Sequence, residues 1–122
     1  MIVATLLAAL SLAAASPVRA VLTAPTHTPK VKVRWPYSVR VTHAGAPAAG
    51  RITVQIVDPV GGVHPVKYGL TTRSITRRPF RGTFRDFVIW PASSRGIPLT
   101  FRAIVVTRWG RRIVTYRVTP RA

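Results

Sequence analysis

The sequence predicts an all-β domain: a two-sheet antiparallel sandwich of six to seven strands, preceded by a signal-peptide helix. Three observations carry this reading. From residue 30 onward, apolar and polar residues alternate with a period of two. Turn signals recur about every ten residues. No stretch after the first 20 residues shows a helical period. Of 122 residues, 48% are hydrophobic, enough for one core and too many for a disordered basic tail.

Residues 1–20 read as an address. Ile2 to Ala15 (IVATLLAALSLAAA) is an almost unbroken apolar run, shorter than the ~20 residues of a membrane span. Pro17 breaks it. Val18-Arg19-Ala20 then supplies small or aliphatic residues at the −3 and −1 places of a cleavage site, and Ala13-Ala14-Ala15 offers a second site. Cleavage after Ala20 and a secreted, extracytoplasmic location are expected. No Lys or Arg precedes the run, so the alternative is an uncleaved segment, the only route by which this chain would meet a membrane.

Residues 21–29 (VLTAPTHTP) read as an extended lead-in, and residues 30–122 as the sandwich. Lys30 to Trp35 puts Val31, Val33 and Trp35 on one face. Tyr37 to Thr42 puts Tyr37, Val39 and Val41 inward. The connector His43 to Gly50 is rich in turn residues. Arg51 to Val57 turns Ile52, Val54 and Ile56 inward and ends at Asp58-Pro59-Val60-Gly61-Gly62. Val63 to Pro79 is irregular, with a short edge strand expected near Val63 to Tyr68. Phe80 to Trp90 loses its phase between Phe84 and Phe87, which predicts a bulge or bend. Pro91 to Pro98 is a loop. Leu99 to Thr107 and Arg111 to Thr119 form a hairpin about a tight turn at Trp109-Gly110.

Tyr37 to Thr42, then Gly45, Pro47 and Gly50 of the connector, then Ile52 to Val57, resemble the bacterial immunoglobulin-like domains. The last two strands look like the closing hairpin of that fold. The resemblance implies an extracytoplasmic protein with an adhesive, spacer or accessory role, and brings no catalytic residues.

Composition narrows the chemistry. There is no Cys, so no disulfide and no thiol nucleophile. There is no Asn and no Glu; Asp58 and Asp86 are the only acids, against 19 Lys and Arg, for a net charge of +17. Such a balance suits a polyanion-binding surface. The competing reading is a GC-rich coding bias, which enriches Ala, Arg, Pro and Gly together.

Two basic clusters stand out. Arg108-Trp109-Gly110-Arg111-Arg112 places an aromatic among arginines at a hairpin tip, where it can meet a phosphate, a sugar or a base. Against that, the Trp can fold back onto the sandwich end. Arg77, Arg78 and Arg81, with Arg73 and Arg85 nearby, interleave with Phe80 and Phe84 as an anion-binding loop, or else they are the polar face above core anchors. By alternation, Arg40 belongs to one outer face, and Arg102 and Arg117 to the other. His27, His43 and His64 lie on separate connecting segments, so no metal site and no cofactor is expected. Asp58 and Asp86 read as salt-bridge partners of nearby arginines, and Ser93-Ser94 lacks a nucleophile-elbow context.

The expected function is a non-enzymatic secreted interaction module that binds an anionic cell-surface polymer or an acidic protein. The alternatives are an extracellular nucleic-acid binder with nonspecific affinity, and a periplasmic metal-binding or hydrolytic protein.

Overall fold

A computed structural model of the chain describes residues 18–122. The expected leader falls largely on residues 1–17, outside the described residues. Nine strands follow: β1 (Val18–Thr23), β2 (Arg34–His43), β3 (Ala46–Pro47), β4 (Ala49–Val57), β5 (Val63–Pro65), β6 (Arg78–Arg81), β7 (Thr83–Ile89), β8 (Leu99–Thr107) and β9 (Gly110–Val118). One turn of 3-10 helix, Ala92–Ser94, interrupts the loop before β8. Sheet I places β2 between β1 and β7, with the short β3 beside the end of β2. Sheet II runs β5-β4-β8-β9, and β6 joins the other end of the β4 edge that β5 uses. Every pairing between these strands is antiparallel.

Alternation fills the space between the sheets as the pattern dictates. Trp35, Tyr37, Val39 and Val41 of β2 meet Ile52 and Val54 of β4 and Phe101, Ala103 and Val105 of β8 in one buried core. Its centre is aromatic. Trp35 lies edge-on to Phe101 at 5.2 Å and to Trp90 at 5.5 Å, and Tyr37 lies 4.7 Å from Phe101. Such edge-to-face pairs set ring positive edges against ring negative faces. The Trp35 indole N–H also donates to the Thr26 carbonyl at 2.9 Å, which ties the segment before β2 to the core.

The structure departs from the sequence reading at several places. The lead-in is not featureless: its first residues belong to β1, which begins upstream at Val18 and pairs with β2 from Val18↔His43 to Thr23↔Ser38. The expected strands at Lys30–Trp35 and Tyr37–Thr42 are replaced by one strand, Arg34–His43, running through Pro36. Proline is tolerated there because β1 ends at Thr23, opposite Ser38, so only β7 flanks position 36. No bulge interrupts the aromatic stretch. Instead Gly82 (φ 73°) separates β6 from β7, and the chain crosses there from sheet II to sheet I. The positive φ favours glycine, and a Cβ there would also press on the Pro47 side chain at 3.1 Å. Within β7 the register against β2 is continuous. Phe87 therefore points outward, beneath the Arg34 guanidinium at 4.3 Å, and Asp86 points inward.

Candidate anion-binding site

The β8–β9 hairpin turns through Arg108-Trp109, closed by a Thr107↔Gly110 pair. Thr107 supports the turn by accepting from the Trp109 N–H at 3.1 Å and donating to the Gly110 carbonyl at 3.0 Å. Trp109 stacks on His43 with ring centroids 4.1 Å apart and planes within 6°, yet it stays 45% exposed. Arg108 lies 5.4 Å from the same indole. Arg112 is occupied: its Nε donates to the Val18 carbonyl at 2.8 Å and its Nη1 to the Arg111 carbonyl at 3.1 Å. Of the four candidate residues at this tip, Arg112 thus clamps β9 to β1, while Arg111 is exposed.

The second cluster divides. Arg78 stacks on Tyr68 with its guanidinium carbon 3.6 Å from the ring centroid. Arg77 holds a positive φ of 47°; its N–H donates to Thr53 Oγ1, and its carbonyl accepts from Arg51 Nη1. Arg81 is exposed on β6. Arg85 does not join them, because the crossing at Gly82 carries it to the outer face of sheet I.

Across the sandwich, Arg40 lies outward on sheet I, and Arg102 and Arg117 outward on sheet II, as alternation requires. The two faces differ in what surrounds the charge. On sheet II, Arg102 donates twice to Gln55 Oε1, at 2.6 and 3.2 Å, and the exposed Val106 and Ile113 break the polar surface. On sheet I, Arg40 and Arg85 border a concavity of about 570 Å³ that also takes in Ser38, Thr42 and Thr83.

The acids do not serve these arginines. Asp86 accepts from the Gly69 N–H through both oxygens at 3.1 Å and faces the buried Tyr37. The Tyr37 hydroxyl is held well above its ordinary pKa, chiefly by burial and then by the charge of the Asp86 carboxylate it faces. Asp58 accepts from the Val60 and Gly62 N–H groups through Oδ1, and its Oδ2 meets His64 Nε2 at 2.8 Å. The His64 bond, then the Gly62 N–H, lowers the Asp58 pKa. The expected Arg–Asp salt bridges are thus absent among the described residues, where the one side-chain contact of a carboxylate with a basic group is His64–Asp58. Backbone donors reach both carboxylates first: Val60 and Gly62 of the β4–β5 turn for Asp58, and the distant Gly69 for Asp86.

Asp58 and His64 border a cleft of about 420 Å³ with Trp90, Ser93 and Ser94. The Ser94 hydroxyl donates to the Pro91 carbonyl at 2.7 Å, and no hydrogen bond joins His64 to either serine. Asp86 does not line this cleft and is held at Gly69. His27 stacks on Tyr116 and bonds the Arg117 carbonyl through Nδ1, leaving the three histidines at three separate places. Among the described residues no three metal-ligating side chains converge, and no helix is long and apolar enough to cross a membrane.

Compared with known proteins, the chain matches no family model and no curated protein.

Proposed function

We propose that this chain is an exported, non-enzymatic immunoglobulin-like module that binds an anionic polymer of the cell surface. The observation that carries the reading is the uncompensated charge. All 19 Lys and Arg follow residue 17, and neither acid pairs with any of them among the described residues. Positive charge left without internal partners gains by recruiting an external polyanion. The strand order supports the immunoglobulin-like assignment: β1-β2-β7 faces β5-β4-β8-β9, with the closing hairpin β8–β9 at one edge. The apolar run Ile2 to Ala15 supports export.

A salt titration of the full chain against anionic cell-wall polymer and against duplex DNA tests this. Retention of the wall polymer near physiological salt supports the reading. Binding to every polyanion that vanishes by physiological salt marks a generic coat and removes it, as does preference for DNA with log K falling by about 0.9 per phosphate contacted.

A further inference from the structure

Resting on the reading above, we propose that the polymer is a base-free phosphodiester chain and that it lies across the outer face of sheet I, on a diagonal of three arginines. Arg19 of β1 stands opposite Thr42 of β2, Arg40 of β2 opposite Thr83 of β7, and Arg85 of β7 opposite Ser38 of β2. All six side chains occupy outward positions, because Val39, Val41 and Phe84, their neighbours along the strands, are buried in the core. In this register each arginine is the diagonal neighbour of the next, two residues down and one strand across. The three therefore form a straight line over β1, β2 and β7. Diagonal neighbours lie about 7–8 Å apart, so the line spans roughly 15 Å. That exceeds one phosphate and suits a chain on which anionic groups recur.

Each arginine also has a hydroxyl residue directly across the strand pair. A guanidinium fork engages two phosphate oxygens, and a neighbouring hydroxyl can donate to a third. None of Arg19, Arg40 and Arg85 makes a side-chain hydrogen bond or an ion pair among the described residues. All three are exposed. The one acid on these strands, Asp86, faces the core and is held by Gly69. Two adjoining concavities follow the line: one borders Arg40 and Arg85, the other Arg19 and Arg40, so Arg40 stands at their junction.

The same face disfavours nucleic acid. Single strands bind by stacking bases on exposed aromatic rings as well as by charge. The one outward aromatic of these strands, Phe87, lies beneath Arg34. Sheet II is the natural comparison, because its Arg102 is spent on Gln55, whereas Arg19, Arg40 and Arg85 make no such bond among the described residues.

The test compares full-length variants of equal charge for binding to poly(glycerol phosphate) and to single-stranded oligo(dT), over a salt series, with thermal melting to verify folding. Arg40→Gln with Arg85→Gln should weaken poly(glycerol phosphate) binding about tenfold at moderate salt and flatten the log K–log salt slope by about 1.4, the loss of two single-strand phosphate contacts. Arg102→Gln with Arg117→Gln should change affinity less than threefold. Equal losses from both pairs, or a loss confined to Arg108→Gln with Arg111→Gln, would overturn the placement on sheet I while leaving the polyanion reading intact. Tighter binding of oligo(dT) than of poly(glycerol phosphate) would overturn the base-free assignment. Failure of the parent chain to bind either polymer would overturn the reading itself.

Discussion

His43 and Trp109 stack face to face, 4.1 Å apart and within 6° of parallel, and so join the β2–β3 turn of sheet I to the β8–β9 hairpin of sheet II. The ring of Trp109 remains 45% exposed, so its burial contributes only part of what a core tryptophan would. Trp109→Ala should therefore lower stability by about 0.5–1.5 kcal/mol for the stacked pair, plus the contribution of its half-buried surface. Trp109→Phe should recover most of it. Thermal melting of the two variants checks this; equal losses would mean that the indole acts through something other than the stack.

Val18 is only 2% exposed, and it opens β1. It pairs with His43, and its carbonyl accepts from Arg112 Nε across the sheets. Cleavage after Ala20 would remove Val18, Arg19 and Ala20 from that ladder. A chain beginning at Val21 should be less stable than one beginning at Ser16 by about 2 kcal/mol or more, from the buried valine alone. Of the two small-residue sites in the sequence, Ala13-Ala14-Ala15 is the one that leaves β1 whole. On the proposed export, N-terminal sequencing of the processed chain is expected to find a first residue before Val18. A mature chain starting at Val21 would contradict this.

The alternation that gave the inward faces needed no tertiary knowledge. Tyr37, Val39 and Val41, then Ile52 and Val54, then Phe101, Ala103 and Val105, are buried where a period of two puts them. The failures share a cause, a partner far away in sequence. The bulge expected between Phe84 and Phe87 does not form, because Arg34 covers Phe87 on the outside and Gly69 holds Asp86 on the inside. Val18-Arg19-Ala20 has the small and aliphatic residues of a cleavage site, and the same residues also suit a strand edge, so β1 went unseen. The outward positions of Arg40, Arg102 and Arg117 were legible in the same way as the core. That Arg19, Arg40 and Arg85 fall on one line was not, because it depends on the register of three strands from distant parts of the chain.

Tyr37 makes folding sensitive to alkali. Its hydroxyl is buried and faces the Asp86 carboxylate, so its pKa is raised. The native state then holds a proton that the unfolded chain releases above pH ~10. Stability falls with rising pH wherever the native state binds more protons, so the loss begins near that pH and grows beyond it. Phenolate absorbance should show Tyr37 ionising only as the protein unfolds. Tyr37→Phe should remove this part of the alkaline loss, since it keeps the ring in the core and has no proton to release.

Asp58 gives the opposite sign at the acid end. Its Oδ1 caps the turn through Val60 and Gly62, and its Oδ2 meets His64. The folded-state pKa is therefore lowered, first by the His64 bond and then by the Gly62 N–H. A depressed carboxyl pKa stabilises the fold fully above the unfolded value of ~4, and the contribution is lost as pH falls through the lower folded value. Asp58→Asn keeps an oxygen acceptor for the turn and removes the titrating proton. Its melting temperature should lie below that of the parent at neutral pH, and the gap should close as the pH drops below ~4. His64→Ala should shrink the same gap from the other side by removing the larger cause of the shift. Melting curves from pH 2 to 7 decide the matter: a gap that persists unchanged at the acid end would mean that Asp58 acts through the shape of the turn alone and not through its charge.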